Sequence, residues 1–174
     1  GTPQDVIYPR VYLHAGSDMT LDAKGSLVSA NHLVVDTKKA VQNTGILQGK
    51  TVAIQAGSLD NRGRVQGHTV ALSSDTDIHQ GGRITATDAI QLKAKKDITM
   101  DNTVQHLANQ DVLDRTAGIA VSGNQGVVIL DAGHNVNLAG ATLQALGEKS
   151  AVVVQAGSDV HLTTQTLAAK KDMT

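Results

Sequence analysis

The chain has 174 residues, a net charge of -1 and an aromatic content of 1%. Acidic and basic residues are interspersed along it, leaving no basic stripe to attract a phosphate backbone, so nucleic acid is not an expected partner. Cysteine is absent, which excludes disulfides and thiolate metal sites.

A globular domain of this length ordinarily seals its core with aromatic rings. Here the rings are Tyr8 and Tyr12, and Val, Leu, Ile and Ala take their place. Many β-branched residues together with 17 glycines favour short strands joined by tight turns around a thin, evenly layered core. No apolar run reaches the roughly 20 residues of a membrane helix. The N-terminus lacks the charged, apolar and small-residue order of a signal peptide, and a chain that opens at Gly1 reads as an excised segment.

Residues 1–10 carry no pattern and are expected to be a lead-in or cap. From residue 11 to 174 the chain is periodic. Leu13, Val35, Ile54, Leu72, Leu92, Leu130 and Val154 recur about every 19 residues, with a double interval between Leu92 and Leu130 that leaves room for one extra rung. Two residues before each lies another apolar residue, Val11, Leu33, Val52, Val70, Ile90, Val128 and Val152, the alternation of a strand with one buried face. A second station follows at Met19, Val41, Leu59, Ile78, Ile98, Val136 and Val160. A third follows at Leu27, Leu47, Val65, Ile84, Val104, Leu143 and Leu167. Gly25, Gly45, Gly63 and Gly82 stand two residues before the third station, where a bend with positive φ favours glycine, and Asn102 takes that place in the next rung.

Three apolar stations in about 19 residues are too few residues for a helical hairpin repeat and fit a coil of three short strands and three corners. An antiparallel sandwich also repeats its strands, but nothing obliges it to keep the same offsets through every unit. The expected fold is therefore all-β: a parallel β-helix of about 7–8 rungs, roughly 4.8 Å apart, with one local insertion. The insertion falls in an irregular segment at 105–125. Gln105 to Arg115 holds no glycine corner, and Leu107, Ala108, Val112 and Leu113 sit at near-helical spacing. About ten residues there are expected to leave the strand path, with Gly118 to Gly123 rejoining it, and Ile119 and Val121 supply an apolar pair spaced like those of the other rungs. As a covering, the outgrowth seals the side of the core; as a contact surface for a partner it offers His106, Leu107, Asn109, Gln110, Asp111, Val112, Leu113, Asp114 and Arg115.

The side chains that could carry chemistry are dispersed. His79 and His161 both follow a second station and should point outward, in distant rungs, whereas a metal needs three or four converging ligands. Asp77 and Asp97 precede the second station in consecutive rungs, close enough to share a proton or a calcium ion. The expected role is the plainer one of a corner aspartate bonded to its own turn backbone. Sugar-cleaving β-helices need aromatic platforms that this chain lacks beyond its N-terminal end, and no nucleophile elbow, phosphate loop or zinc helix motif occurs. No catalytic residue, metal site or cofactor is expected, and the chain does not read as an enzyme.

Ala15-Gly16-Ser17-Asp18-Met19, Ala132-Gly133-His134-Asn135-Val136 and Ala156-Gly157-Ser158-Asp159-Val160, each after an apolar strand, resemble the Ala-Gly-x-Asp-Ile/Val repeats of the filamentous haemagglutinin family. Asp114-Arg115-Thr116-Ala117-Gly118-Ile119-Ala120-Val121-Ser122-Gly123 is similar to a stretch in the haemagglutinin repeat block late in many of these proteins. The resemblance implies a right-handed β-helical shaft from a very long exoprotein, secreted to the bacterial cell surface through a dedicated outer-membrane transporter. Some members are adhesins that bind host glycan or protein. Others are contact-dependent growth inhibition effectors, in which this block is associated with toxin delivery across the target cell's outer membrane.

Overall fold

The computed structural model describes residues 10–13, 19–21, 27–101, 118–163 and 166–169. Among them are nineteen strands and no helix. The strands form a parallel β-solenoid of about six turns, and each level is built from three strands.

The first strands are β1 (Arg10–Leu13), β4 (His32–Asp36), β7 (Thr51–Ala56), the later part of β9 (Arg64–Ser74), the later part of β11 (Arg83–Ala94), β14 (Val127–Ala132) and β17 (Ala151–Ala156). The second are β2 (Met19–Leu21), β5 (Ala40–Asn43), β8 (Ser58–Asn61), β10 (Ile78–Gln80), β12 (Ile98–Asp101), β15 (Val136–Ala139) and β18 (Val160–Thr163). The third are β3 (Leu27–Ser29), β6 (Ile46–Gln48), the openings of β9 and β11, β13 (Gly118–Val121), β16 (Thr142–Ala145) and β19 (Thr166–Ala169). Among the described residues every pairing between successive levels is parallel, and no hairpin joins adjacent strands.

Alternation along each strand turns one set of side chains inward, and the parallel register stacks like on like. Leu13, Val35, Ile54, Leu72, Leu92, Leu130 and Val154 follow one another in register, as do Met19, Val41, Leu59, Ile78, Ile98, Val136 and Val160. From Val35 to Leu130 and from Val41 to Val136 these columns are buried. Removing an aliphatic side chain of this size from water contributes about 1.5–3 kcal/mol, so the solenoid replaces one large core with many equal small layers.

Four local expectations are corrected. The long interval between Leu92 and Leu130 is one step, not two, because Leu92 pairs directly with Leu130 and Ile98 with Val136. β12 pairs with β15, and β13 pairs with the opening of β11, so among the described residues no extra level stands between that of Leu92 and that of Leu130. Ile119 therefore stands in the third column, on Ile84, and does not open an extra level. Val104 lies outside the described residues.

In the third column the member before Leu47 is Val28, not Leu27, because the pairing of β3 with β6 sets Val28 on Leu47 and leaves Leu27 55% exposed. One of the three corners is a bend within a continuous strand in β9 and β11. There Thr87 and Asp88 lie opposite the single residue His68, a bulge that turns the strand without ending it.

Gly63 and Gly82 do not adopt positive φ; among the described glycines only Gly140 does, at 70°. Their need for glycine comes from neighbouring levels: a Cβ on Gly82 would strike the carbonyl oxygen of Gly63, and one on Gly63 that of Gly45. Stacked corners bring backbone onto backbone, and the absence of a side chain permits that approach.

Candidate functional site

The expected contact residues His106, Leu107, Asn109, Gln110, Asp111, Val112, Leu113, Asp114 and Arg115 lie outside the described residues, as do Asp18, Gly25, Asn102 and most of the lead-in. Within the segment 105–125, Gly118–Val121 is regular strand β13, followed by a turn in which Gly126 donates its N–H to the Gly123 carbonyl.

The corner aspartates do not cap their own turns. Asp97 donates its backbone N–H to the Asp77 carboxylate at 3.1 Å, Asn135 donates to Asp97 at 3.0 Å, and Asp159 donates to the Asn135 side-chain oxygen at 3.1 Å. The next residue of each level, Ile78, Ile98 or Val136, donates its N–H to the backbone carbonyl of the following Asp or Asn. Each carboxylate or amide thus supplies an acceptor for a corner N–H that the strand ladder does not reach. The preceding Ala and Gly of the repeat have equally local roles. Ala94 and Ala132 stack in a buried column of small side chains, and a Cβ on Gly133 would strike the carbonyl oxygen of Lys95.

A second ladder runs through the interior. Asn43, Asn61 and Gln80 occupy the inner position two residues beyond the second station, in register, and are 3%, 1% and 0% exposed. Asn43 Nδ2 donates to Asn61 Oδ1 at 2.8 Å, Asn61 Nδ2 to Gln80 Oε1 at 3.0 Å, and Gln80 Nε2 to the Gly82 carbonyl at 2.8 Å. At the other end Asn43 Oδ1 accepts from the Gly45 N–H at 3.0 Å. Beyond Gln80 the same column continues with Met100 and Leu138, both buried.

On the outer face of the same strands lies a carboxylate–imidazole–carboxylate bridge. His79 Nδ1 is 3.2 Å from Asp60 Oδ1, and Nε2 is 2.9 Å from Asp101 Oδ1. Asp60 stands beside His79 in register on β8, and Arg62 Nε lies 3.2 Å from the second Asp60 oxygen. Hydrogen bonding to Asp60 raises the His79 pKa above its ordinary value; partial burial opposes this, and Asp101 adds to it. For Asp60, partial burial acts upward, but the bonds from His79 and Arg62 outweigh it and hold the carboxyl below its usual range. The sequence placed His79 on the surface, which is correct in direction; what it missed is that two levels supply carboxylates to both ring nitrogens.

Arg64 and Arg83 form a different pair, in register on neighbouring levels and both exposed, with no carboxylate bonded to either among the described residues. Among the described residues the exposed large apolar side chains are Leu27, Leu146, Val153, Val160 and Leu162, of which Val160 and Leu162 belong to the inner columns at the last described level. Among the described residues no group of three or more His, Asp or Glu side chains is placed to hold a metal ion.

No family model, no curated protein and no solved structure matches the chain.

Proposed function

We propose that this chain is a non-catalytic shaft segment of a large secreted bacterial surface protein of the filamentous haemagglutinin or contact-dependent growth inhibition type. The observation that supports it most is the division of labour within the Ala-Gly-x-Asp repeat. The alanine fits a crowded inner column, the glycine admits the neighbouring backbone, and the Asp or Asn accepts a corner N–H from the next level. Such a repeat maintains a rod and offers its recurring chemistry to the rod itself, not to a substrate. In this reading the partners are a dedicated outer-membrane transporter and, at the far end of the parent protein, a target-cell envelope.

An adhesive surface for host glycan or protein is the second reading, and the Arg64–Arg83 pair favours it. Like charges directly opposite on neighbouring strands destabilise a sheet unless an anion shares them.

Removing one whole level separates the readings. Deleting residues 52–69 joins Thr51 to Val70 in the register that Val52 and Val70 already share. A shaft tolerates this: the parent protein is still exported by its transporter and displayed on the cell, and it delivers its cargo or adheres as before. Loss of adhesion with normal display, reproduced by R64A/R83A, supports the adhesive surface. Undiminished surface display after removal of the transporter overturns the secretion assignment itself.

A further inference from the structure

His79 is the centre of an arrangement whose two contacts are compatible only in one protonation state. An ionised carboxylate accepts hydrogen bonds and donates none, so a ring nitrogen facing it forms a bond only if that nitrogen carries a proton. Both His79 nitrogens face carboxylate oxygens, Asp60 on one side and Asp101 on the other. A neutral imidazole has one N–H and satisfies one of them; the other contact then sets a lone pair against a carboxylate.

The three residues belong to three successive levels, Asp60 on β8, His79 on β10 and Asp101 on β12. Asp101 is the last residue of β12. We propose that Asp60, His79 and Asp101 form a proton-dependent clamp across these levels, closed when the imidazole carries both protons and open at one end when it carries one.

The surrounding groups leave that assignment intact. On the β8 side the charged neighbours are Asp60 and the Arg62 bonded to it, with Gln42 of β5 beyond. On the β12 side the charged neighbour is Asp101, and beside it stands the uncharged Thr99, which accepts from Asn137 of β15 at 3.4 Å. Along β10 itself Ile78 and Gln80 point inward, and the preceding Asp77 accepts the Asp97 N–H. The raised His79 pKa agrees with the geometry, and its sign sets the direction. A group whose folded pKa lies above its unfolded value contributes stability below the unfolded value and loses it as pH rises through the folded one. The clamp is therefore closed under mildly acidic conditions and opens above the ordinary histidine pKa of 6.5.

The test uses the whole chain. Imidazole nitrogen chemical shifts of His79, followed by NMR from about pH 5 to 9, are expected to titrate above 6.5 with both nitrogens protonated on the acid side, and amide exchange at Asp101 is expected to quicken through the same transition. H79Q is expected to lower the melting temperature at about pH 6 and to match the parent at about pH 9, while D101N brings the His79 midpoint down. Titration at or below 6.5 in the unmodified chain overturns the proposal without any variant. So does a parent-minus-H79Q difference that is the same at both pH values.

Discussion

Asn135 donates its backbone N–H to the Asp97 carboxylate at 3.0 Å although the two residues are 38 apart in sequence. The bond places them on adjoining levels and gives Asp97 a partner one level on. Replacing Asp97 by Ala leaves that N–H without an acceptor and is expected to cost about 1–2 kcal/mol in a urea titration, whereas Asn, which keeps an oxygen in place, costs less than half of that.

Because the carboxylates of Asp77 and Asp97 already accept corner N–H groups, a calcium chelator is expected to leave the melting temperature unchanged. A fall that added calcium restores would reassign the two side chains as ligands.

Ile98 is fully buried between Ile78 and Val136. Ile98→Asp sets an unpaired carboxylate in an aliphatic column at a cost of several kcal/mol, and the expected outcome is loss of cooperative thermal unfolding. His79→Ala, on the opposite face of the same sheet, is expected to lower stability by no more than about 1 kcal/mol near pH 6, since its ion pairs are partly exposed and screened by solvent. Equal thermal shifts for the two variants would contradict the inside and outside assignments.

The interior amides should behave as a unit. Asn61→Ala alone leaves Asn43 Nδ2 and Gln80 Oε1 without each other's intermediary and is expected to cost about 1–3 kcal/mol. Replacing Asn43, Asn61 and Gln80 together by Leu, Leu and Met removes the amide–amide pairs at once and leaves only the Gly45 N–H and the Gly82 carbonyl without their side-chain partners, so it is expected to cost less than the sum of the three single changes in the same titration.

At Gly133, an alanine Cβ would meet the carbonyl oxygen of Lys95, part of a backbone held by its own pairing. Gly133→Ala is expected to destabilise the chain by about 1–3 kcal/mol, measured by thermal melting; an unchanged melting temperature would show that the corner can shift aside at no cost.

The columns were legible in the sequence because burial repeats: Val35, Ile54, Leu72 and Leu92 occupy identical environments and therefore carry the same kind of side chain. Leu27 was misassigned because Leu and Val adjoin at Leu27-Val28, and only the pairing with β6 decides which of them faces in. The interval at Leu92 misled for a related reason, since Ile119 and Val121 have the spacing of a first strand while standing in the third column. Polar relationships were the least legible. Asn43, Asn61 and Gln80 stand two residues before Gly45, Gly63 and Gly82, a recurrence visible in the chain, but an amide ahead of a glycine reads equally well as a turn residue. The bridge at His79 depends on groups from three levels whose register has to be known first.

A stack of identical aliphatic layers has a translational ambiguity, because any layer fits on any other and one turn can be looped out without exposing apolar surface. The amide column removes it over the central turns. If β12 slid back to lie on β8, Met100 would cover Asn61, whose Nδ2 would be sealed in the interior with no acceptor, a penalty of about 1–3 kcal/mol that the correct neighbour Gln80 avoids. Three side chains thereby number the turns, and a chain growing by addition of like to like still has one arrangement in which every turn is in its own place.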